Sequence, residues 1–117
     1  MSCLRNASAQ ATHLAAQGRD ALILGADSRG EFREEDQLCA ARIADGLMRE
    51  GFELADASTT ALHERWAAAP DDAFVEGRSA RYLRDTGQHA DLRFVLEHIE
   101  DLSTVFAMRD GSVQAVA

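Results

Sequence analysis

The sequence predicts an all-α protein, a compact bundle of four to five helices packed around a long C-terminal helix. Composition is the first observation behind this prediction: the chain of 117 residues contains 22 alanines but only 13 valines, isoleucines and threonines together. Alanine is the best helix former, whereas β-branched residues are favoured in strands, so this imbalance favours helices. The second observation is a helical repeat of apolar residues from Ala90 to Arg109.

The predicted C-terminal helix has apolar residues on two nearly opposite sides. A helix of this kind either lies in the centre of a bundle or presents its second side to a partner. The side expected to face the bundle contains Leu92, Val95, Leu96, Ile99, Leu102 and Phe106. The opposite side, which we predict to bind a protein partner or a second copy of the chain, contains Phe94, His98, Asp101, Val105 and Met108.

Local capping and turn signals predict four shorter helices before the C-terminal one. Gly25 is placed to end the first helix, and Pro70 to end the third. Acidic residues open the second and fourth helices, where their charge complements the helix dipole. The predicted spans are about 8–24, 33–50, 59–69 and 71–86. They form one predicted domain over residues 1–117, in which about 1–7 and 110–117 are loosely ordered.

Two segments also fit a strand. Ala21–Leu24 has the composition of a short strand, but an all-α context favours the helix. Phe106–Val116 could form a β-hairpin through Asp110-Gly111, because Asp-Gly is a preferred hairpin turn. The sustained helical repeat favours the helix in the second case as well.

Charge and composition exclude several classes of function. The formal net charge is −8, so the average surface repels phosphate, and we expect neither direct nucleic-acid binding nor membrane association. All basic residues are arginine, which excludes a Schiff-base lysine and a P-loop lysine. The sequence contains no apolar run of membrane-spanning length and no signal-peptide core, so we expect a cytoplasmic protein.

The sequence predicts no catalytic residue, no cofactor site and no metal site. Gly25–Gly30 has the glycine spacing of a phosphate-binding loop, but Glu31 and Phe32 stand where Lys and Ser or Thr are needed. The four histidines lack the spacing of metal ligands. Cys39 is interpreted as a buried structural thiol, which is the commoner role of an isolated cysteine.

Basic residues concentrate in one segment of the predicted fourth helix. Arg78, Arg81 and Arg84, beside Tyr82, could bind a phosphate, an acidic peptide or RNA. A structural network of ion pairs is the favoured interpretation, because acidic residues lie within helical reach. Arg78 is predicted to be partly buried and paired with a carboxylate, since an unpaired buried charge is costly.

Acidic residues form clusters, of which Glu34, Glu35 and Asp36 are the main example. Such clusters usually form a solvated surface. If the fold gathered two of them on one face, that face could imitate the phosphates of a nucleic acid and occupy a basic groove.

The failure of every catalytic pattern leads to the functional prediction. We expect a non-enzymatic protein-binding module that self-associates through the long C-terminal helix. The alternative is a small acidic inhibitor, of the kind carried by phages and other mobile elements, that blocks a basic nucleic-acid-handling or toxin protein by charge mimicry.

Overall fold

Residues 1–116, which the computed structural model describes, form five helices followed by one antiparallel β-hairpin. Within this range no helix is long and apolar enough to cross a membrane. In chain order the elements are α1 (Ala7–Ala15), α2 (Glu34–Arg49), α3 (Ala57–Trp66), α4 (Arg78–Asp85), α5 (His89–Glu97), β1 (Val105–Arg109) and β2 (Ser112–Val116).

Helix α2 is the centre of the core, and both α1 and α3 pack against it. Leu38 is fully buried in this helix, and removing such a side chain typically costs about 2–5 kcal/mol. The Trp66 indole at the end of α3 donates a hydrogen bond of 2.8 Å to the Gln37 amide oxygen, which satisfies its polar atom. The buried residues of α2 are Leu38, Cys39, Ala41, Ile43, Ala44 and Leu47.

Small residues allow α1 and α2 to approach closely. Ala7 and Ala11 are buried on α1, and Gly46 lies opposite them on α2. A Cβ atom added to Gly46 would lie 2.7 Å from the Cβ of Ala11, closer than real Cβ atoms approach. Gly46 is therefore required by the contact between the two helices rather than by its own backbone conformation.

The prediction that the first helix extends to Leu24 is wrong, because α1 ends at Ala15. Gly18 adopts a φ of +60°, a left-handed conformation that glycine reaches without steric cost and that ends helices. Residues 19–27 are neither helical nor paired in a sheet.

The all-α prediction is also wrong, because the long C-terminal helix does not exist. Helix α5 ends at Glu97, and the chain then extends into β1 and β2. The two strands pair antiparallel in a register that places Val105 opposite Val116 and Arg109 opposite Ser112. The hairpin that the helical repeat appeared to exclude is the observed structure.

The turn and the strand composition explain this correction. Asp110 and Gly111 both have positive φ, at 50° and 77°, as a two-residue hairpin turn of type I′ requires. The apolar residues of β1 lie within five positions, a run too short for a helical period to be distinguished from a strand.

The N-terminal segment is hydrogen-bonded to the connection between α5 and β1. The backbone N–H groups of Glu100 and Leu102 donate to the carbonyl oxygens of Leu4 and Arg5, both at 2.9 Å. Asn6, 1% exposed, donates from Nδ2 to the Thr104 carbonyl at 3.0 Å. Its Oδ1 accepts the backbone N–H of Cys3 at 2.9 Å, so this buried amide is hydrogen-bonded through both of its polar atoms.

An ion pair at the surface strengthens the same attachment. The Arg5 guanidinium donates two hydrogen bonds to the Asp101 carboxylate, at 2.8 and 3.0 Å. His98 Nδ1 lies 2.5 Å from Asp101 Oδ2, the oxygen that also accepts the hydrogen bond from Arg5 Nη2. The hydrogen bonds from Arg5 and then from His98 lower the pKa of Asp101 to about 2.

We predict that Gly46→Ala destabilises the protein. The added methyl group overlaps Ala11, and overpacking of about 1–3 kcal/mol outweighs the roughly 1 kcal/mol of helix propensity that alanine gains over glycine. Urea unfolding monitored by circular dichroism measures the change. In a double-mutant cycle, Ala11→Gly should cost less stability in the Gly46→Ala background than in the original chain. Additive effects of the two substitutions would contradict the contact.

We also predict that the contribution of Asp101 to stability disappears in acid. Its pKa is lower in the folded chain than the ordinary value of about 3.9, so its contribution is present above about pH 4 and is lost as the pH falls towards 2. The difference in urea midpoint between the original chain and Asp101→Asn should therefore shrink over this range.

The matched control for this experiment is Asp110→Asn. Asp110 forms no ion pair with any residue from 1 to 116, and asparagine tolerates its positive φ. The difference between Asp110→Asn and the original chain should not depend on pH. An equal pH dependence in both variants would show that Arg5 and His98 do not stabilise the ionised form of Asp101.

Candidate functional site

Arginine side chains from three separate parts of the chain line one surface hollow. Arg29 comes from the loop before α2, Arg33 from the N-cap of α2, and Arg78 from the first turn of α4. The hollow has a volume of about 570 Å³. We call it the arginine hollow, and its lining is Ser28, Arg29, Arg33, Arg78, Ser79, Tyr82 and Leu83.

A tight loop places Arg29 at the rim of the arginine hollow. The backbones of Ser28 and Glu31 exchange hydrogen bonds of 3.0 and 3.3 Å, and the two residues between them have positive φ, at 58° for Arg29 and 78° for Gly30. Glycine suits the second position because it has no Cβ. In this turn the Arg29 side chain is exposed and lines the arginine hollow.

Arg33 has an unsatisfied donor in this site. Its Nε atom is buried, and no acceptor among residues 1–116 is within hydrogen-bond distance. A buried donor without an acceptor costs about 1–3 kcal/mol, and more when the group is charged.

Glu34 connects the N-terminus of α4 to α2. Its Oε2 accepts the backbone N–H of Arg78 at 3.2 Å, and a Cβ atom on Gly77 would lie 2.7 Å from that oxygen. Burial of Glu34 opposes its ionisation, but hydrogen bonds from the backbone N–H groups of Glu34 and Arg78 and the Arg78 charge outweigh it. The pKa of Glu34 is therefore lowered, so Glu34 is ionised at neutral pH.

Arg78 forms an ion pair with Glu31 across the loop. The predicted carboxylate partner of Arg78 is therefore present, but the predicted burial is wrong because its side chain is 54% exposed. The fourth helix was predicted to begin at about residue 71, but α4 begins at Arg78, so this residue lies at the start of the helix. Its exposure leaves the guanidinium accessible to a ligand.

The other residues of the predicted basic segment do not all lie at the arginine hollow. Tyr82 lines the arginine hollow and is largely exposed. Arg84 donates to the Val75 carbonyl at 2.6 Å, and Arg81 makes a long contact of 3.4 Å with the Glu76 carbonyl. Of the three predicted arginines, only Arg78 therefore faces the arginine hollow.

A second concavity lies on the other side of the α2 N-terminus. We call it the cysteine cleft. It has a volume of about 430 Å³ and lies between the N-terminal segment, residues 23–26, α2 and α5. Its chemically active lining residues are Cys3, Arg5, Glu35, Asp36, Cys39 and His98.

The chemistry of the cysteine cleft is unsuited to an anion. The side chains of Arg5 and His98 are both bound to Asp101. Burial and then the Glu35 charge raise the pKa of Asp36, which places two mutually repelling carboxylates in this cleft. Asp101 neutralises the charge of Arg5, and the carboxylates of Glu35 and Asp36 repel an anion.

Cys39 is not an activated nucleophile. The residue is buried, its Sγ lies 3.8 Å from Ser2 Oγ, and burial raises its pKa to about 11. The thiol is therefore protonated at neutral pH, whereas attack requires the thiolate. The geometry agrees with the sequence-based interpretation of Cys39 as a buried thiol.

The residues predicted to bind a partner do not form one helical face. Phe94 and His98 stack with ring centroids 4.1 Å apart, and His98 contacts Asp101. Val105 and Met108 instead lie in β1, three positions apart and therefore on opposite faces of the hairpin. The geometric basis of that prediction is wrong, and their role in binding a partner remains a prediction.

Sequence reasoning missed Arg29 and Arg33. Nothing in their local pattern predicts that they meet Arg78, which is more than 40 positions away in the chain. The available signal was the Gly25–Gly30 loop, which was rejected as a phosphate-binding loop for lack of a lysine. The loop supplies Ser28 and Arg29 to the arginine hollow instead. Within residues 1–116, no group of three His, Cys, Asp or Glu side chains is arranged to hold a metal ion.

Comparison with known proteins gives one match. The model of the 2-phosphosulpholactate phosphatase family matches residues 1–111. Neither the curated proteins nor the solved structures gave a match. The predictions of a non-enzymatic binding module and of an acidic inhibitor are therefore wrong, because the match covers nearly the whole chain and is to a family of enzymes. The chain belongs to the 2-phosphosulpholactate phosphatase family.

Proposed function

We propose that this chain hydrolyses a phosphate monoester, that its substrate is 2-phosphosulpholactate, and that the arginine hollow binds the phosphate group. Membership of the family supports the reaction and the substrate. The observation that supports the location is the convergence of Arg29, Arg33 and Arg78, with the Arg33 Nε lacking an acceptor within the described chain.

The substrate's chemistry matches this site. 2-Phosphosulpholactate carries a phosphate ester, a carboxylate and a sulphonate, so it is strongly anionic. A chain with a net charge of −8 repels such a molecule on average, and binding therefore requires a local concentration of positive charge. Guanidinium groups are suited to binding this substrate because they donate paired hydrogen bonds to phosphate and carboxylate oxygens.

In the proposed reaction, a water molecule attacks the phosphorus atom while the bond from phosphorus to the ester oxygen breaks. The products are inorganic phosphate and sulpholactate, whose new hydroxyl group takes a proton. Negative charge is spread over the oxygens of the transferring phosphoryl group, so positioning and electrostatic stabilisation account for most of the catalysis. Arg33 is suited to this role because its donor is held in place by burial.

Glu31 is the proposed acceptor of the proton from water. Its carboxylate contacts the Arg78 guanidinium and is more than half exposed to solvent, and a base must lie within reach of the attacking water. Glu34 is instead held by the backbone N–H of Arg78. We assign it a positioning role, because it fixes the start of α4 beside α2.

Water, rather than the Cys39 thiol, is the proposed nucleophile. The Cys39 thiol has a pKa of about 11 and lies in the cysteine cleft rather than in the arginine hollow. A mechanism through a covalent phosphocysteine would require a thiolate that this environment disfavours.

We predict that Arg33→Ala lowers kcat/KM for 2-phosphosulpholactate by about 10²-fold, the usual cost of removing one preorganised donor from a transition-state charge. Release of inorganic phosphate from the purified chain measures this effect. Arg33→Lys should restore only part of the activity, because lysine keeps the charge but lacks the planar fork of donors.

Two control variants accompany this measurement. Arg109→Ala removes the same charge from β1, outside the arginine hollow, and should retain the activity of the original chain. Cys39→Ala should also retain activity if its fold is unchanged by circular dichroism. Equal activity in Arg33→Ala and Arg109→Ala would contradict the location of the site, and an inactive but folded Cys39→Ala would contradict water as the nucleophile.

A further inference from the structure

The segment between α1 and α2 has a backbone without hydrogen-bond partners. From Arg19 to Asp27, no backbone N–H or C=O group is hydrogen-bonded to another described residue. The segment also contains the most exposed large apolar side chains of the described chain, Leu22 at 84% and Leu24 at 81%. Unpaired backbone groups beside exposed leucines are the properties of a free strand edge.

The side chains in this segment alternate as in a strand. Ile23 is half-buried and packs against the core, whereas Leu22 and Leu24 on either side of it are exposed. Alternation with a period of two places one face of a strand on the core and the other in solvent. The chain therefore already fixes the orientation of Ala21–Leu24, although it supplies no neighbouring strand.

We propose that a second copy of the chain pairs with this segment, so that two protomers join through an antiparallel two-stranded ribbon. In the proposed register, Ile23 lies on the two-fold axis and faces Ile23 of the second copy. Leu22 then lies opposite Leu24 of the second copy, and the symmetry repeats this pair. Four leucines exposed in the separate chains would form one apolar cluster.

Charge complementarity supports a second copy as the occupant. The same register places Arg19 of one copy opposite Asp27 of the other, and the two-fold axis makes this pair twice. Both side chains are exposed and form no ion pair elsewhere in residues 1–116. A self-complementary patch of this kind is what an isologous interface requires, and cross-strand pairs of opposite charge stabilise a sheet.

This pairing extends beyond the proposed phosphatase activity and does not depend on it. The Ser28–Glu31 turn follows this segment directly and carries Arg29 to the arginine hollow. Fixing the strand would therefore also fix the start of this loop. Self-association is measured by mass, so its failure and the failure of the activity are separate results.

The molar mass in solution tests the proposal. Sedimentation equilibrium of the full chain should give twice the protomer mass of 12.7 kDa at high micromolar concentration. Leu22→Glu should be monomeric and folded, because the side chain it replaces is exposed in the single chain. The matched control is Met108→Glu, at another exposed apolar position, which should remain dimeric. A monomeric original chain, or equal loss of the dimer in both variants, would overturn the proposal.

A charge exchange tests the register. Arg19→Asp and Asp27→Arg each turn two attractive cross-strand pairs into repulsive ones, so each should raise the dimer dissociation constant by about tenfold. The double variant Arg19→Asp with Asp27→Arg should restore dimerisation. A double variant weaker than either single variant would overturn the proposed register.

Hydrogen exchange of the backbone amides provides a test that needs no substitution. Pairing protects alternate amides between Ala21 and Leu24 in the dimer, and dilution to the monomer should remove that protection. Amides that exchange freely at concentrations where the chain is dimeric would show that the interface lies elsewhere and would overturn the proposal.

Discussion

The burial of one side of α2 is the constraint on which the rest of the structure depends. Leu38, Ile43 and Leu47 hold this helix in the core, and the missing side chain of Gly46 brings α1 against it. Because the buried side fixes the rotation of the helix, it also fixes where the N-cap residue Arg33 points. The stability of the core and the geometry of the arginine hollow therefore have the same origin.

The arginine hollow shows how an acidic chain can present a local positive site. Arg29, Arg33 and Arg78 are close only because the loop before α2 and the start of α4 meet at the N-terminus of α2. Glu34 connects the two segments because its carboxylate accepts a hydrogen bond from the backbone N–H of Arg78. The carboxylate fits there because Gly77 has no Cβ atom. The acidic first turn of α2, which resembled a solvated surface in the sequence, includes the residue that holds the site together.

Local signals predicted α2 accurately and failed where tertiary structure decides. Helix α2 was predicted at 33–50 and is observed at Glu34–Arg49, because its acidic start, its apolar side and the glycine after it act within the helix itself. The start of α3 is capped by Asp56, whose Oδ1 accepts the backbone N–H of Thr59 at 2.7 Å. The C-terminal helix failed because the apolar repeat of α5 continues by coincidence into β1, whereas Asp110-Gly111 determines the hairpin. The meeting of Arg33 with Arg78 could not be predicted, since it arises from packing between distant segments.

We propose above all that the arginine hollow binds the phosphate group. The most direct test is a titration of the chain with inorganic phosphate. The titration is monitored by nuclear magnetic resonance of the arginine Nε–Hε groups. The signals of Arg29, Arg33 and Arg78 should shift together and saturate, because all three residues line the arginine hollow, while that of Arg109 stays unchanged. A saturable shift of Arg5, which lines the cysteine cleft, with none at Arg29, Arg33 or Arg78, would contradict the account.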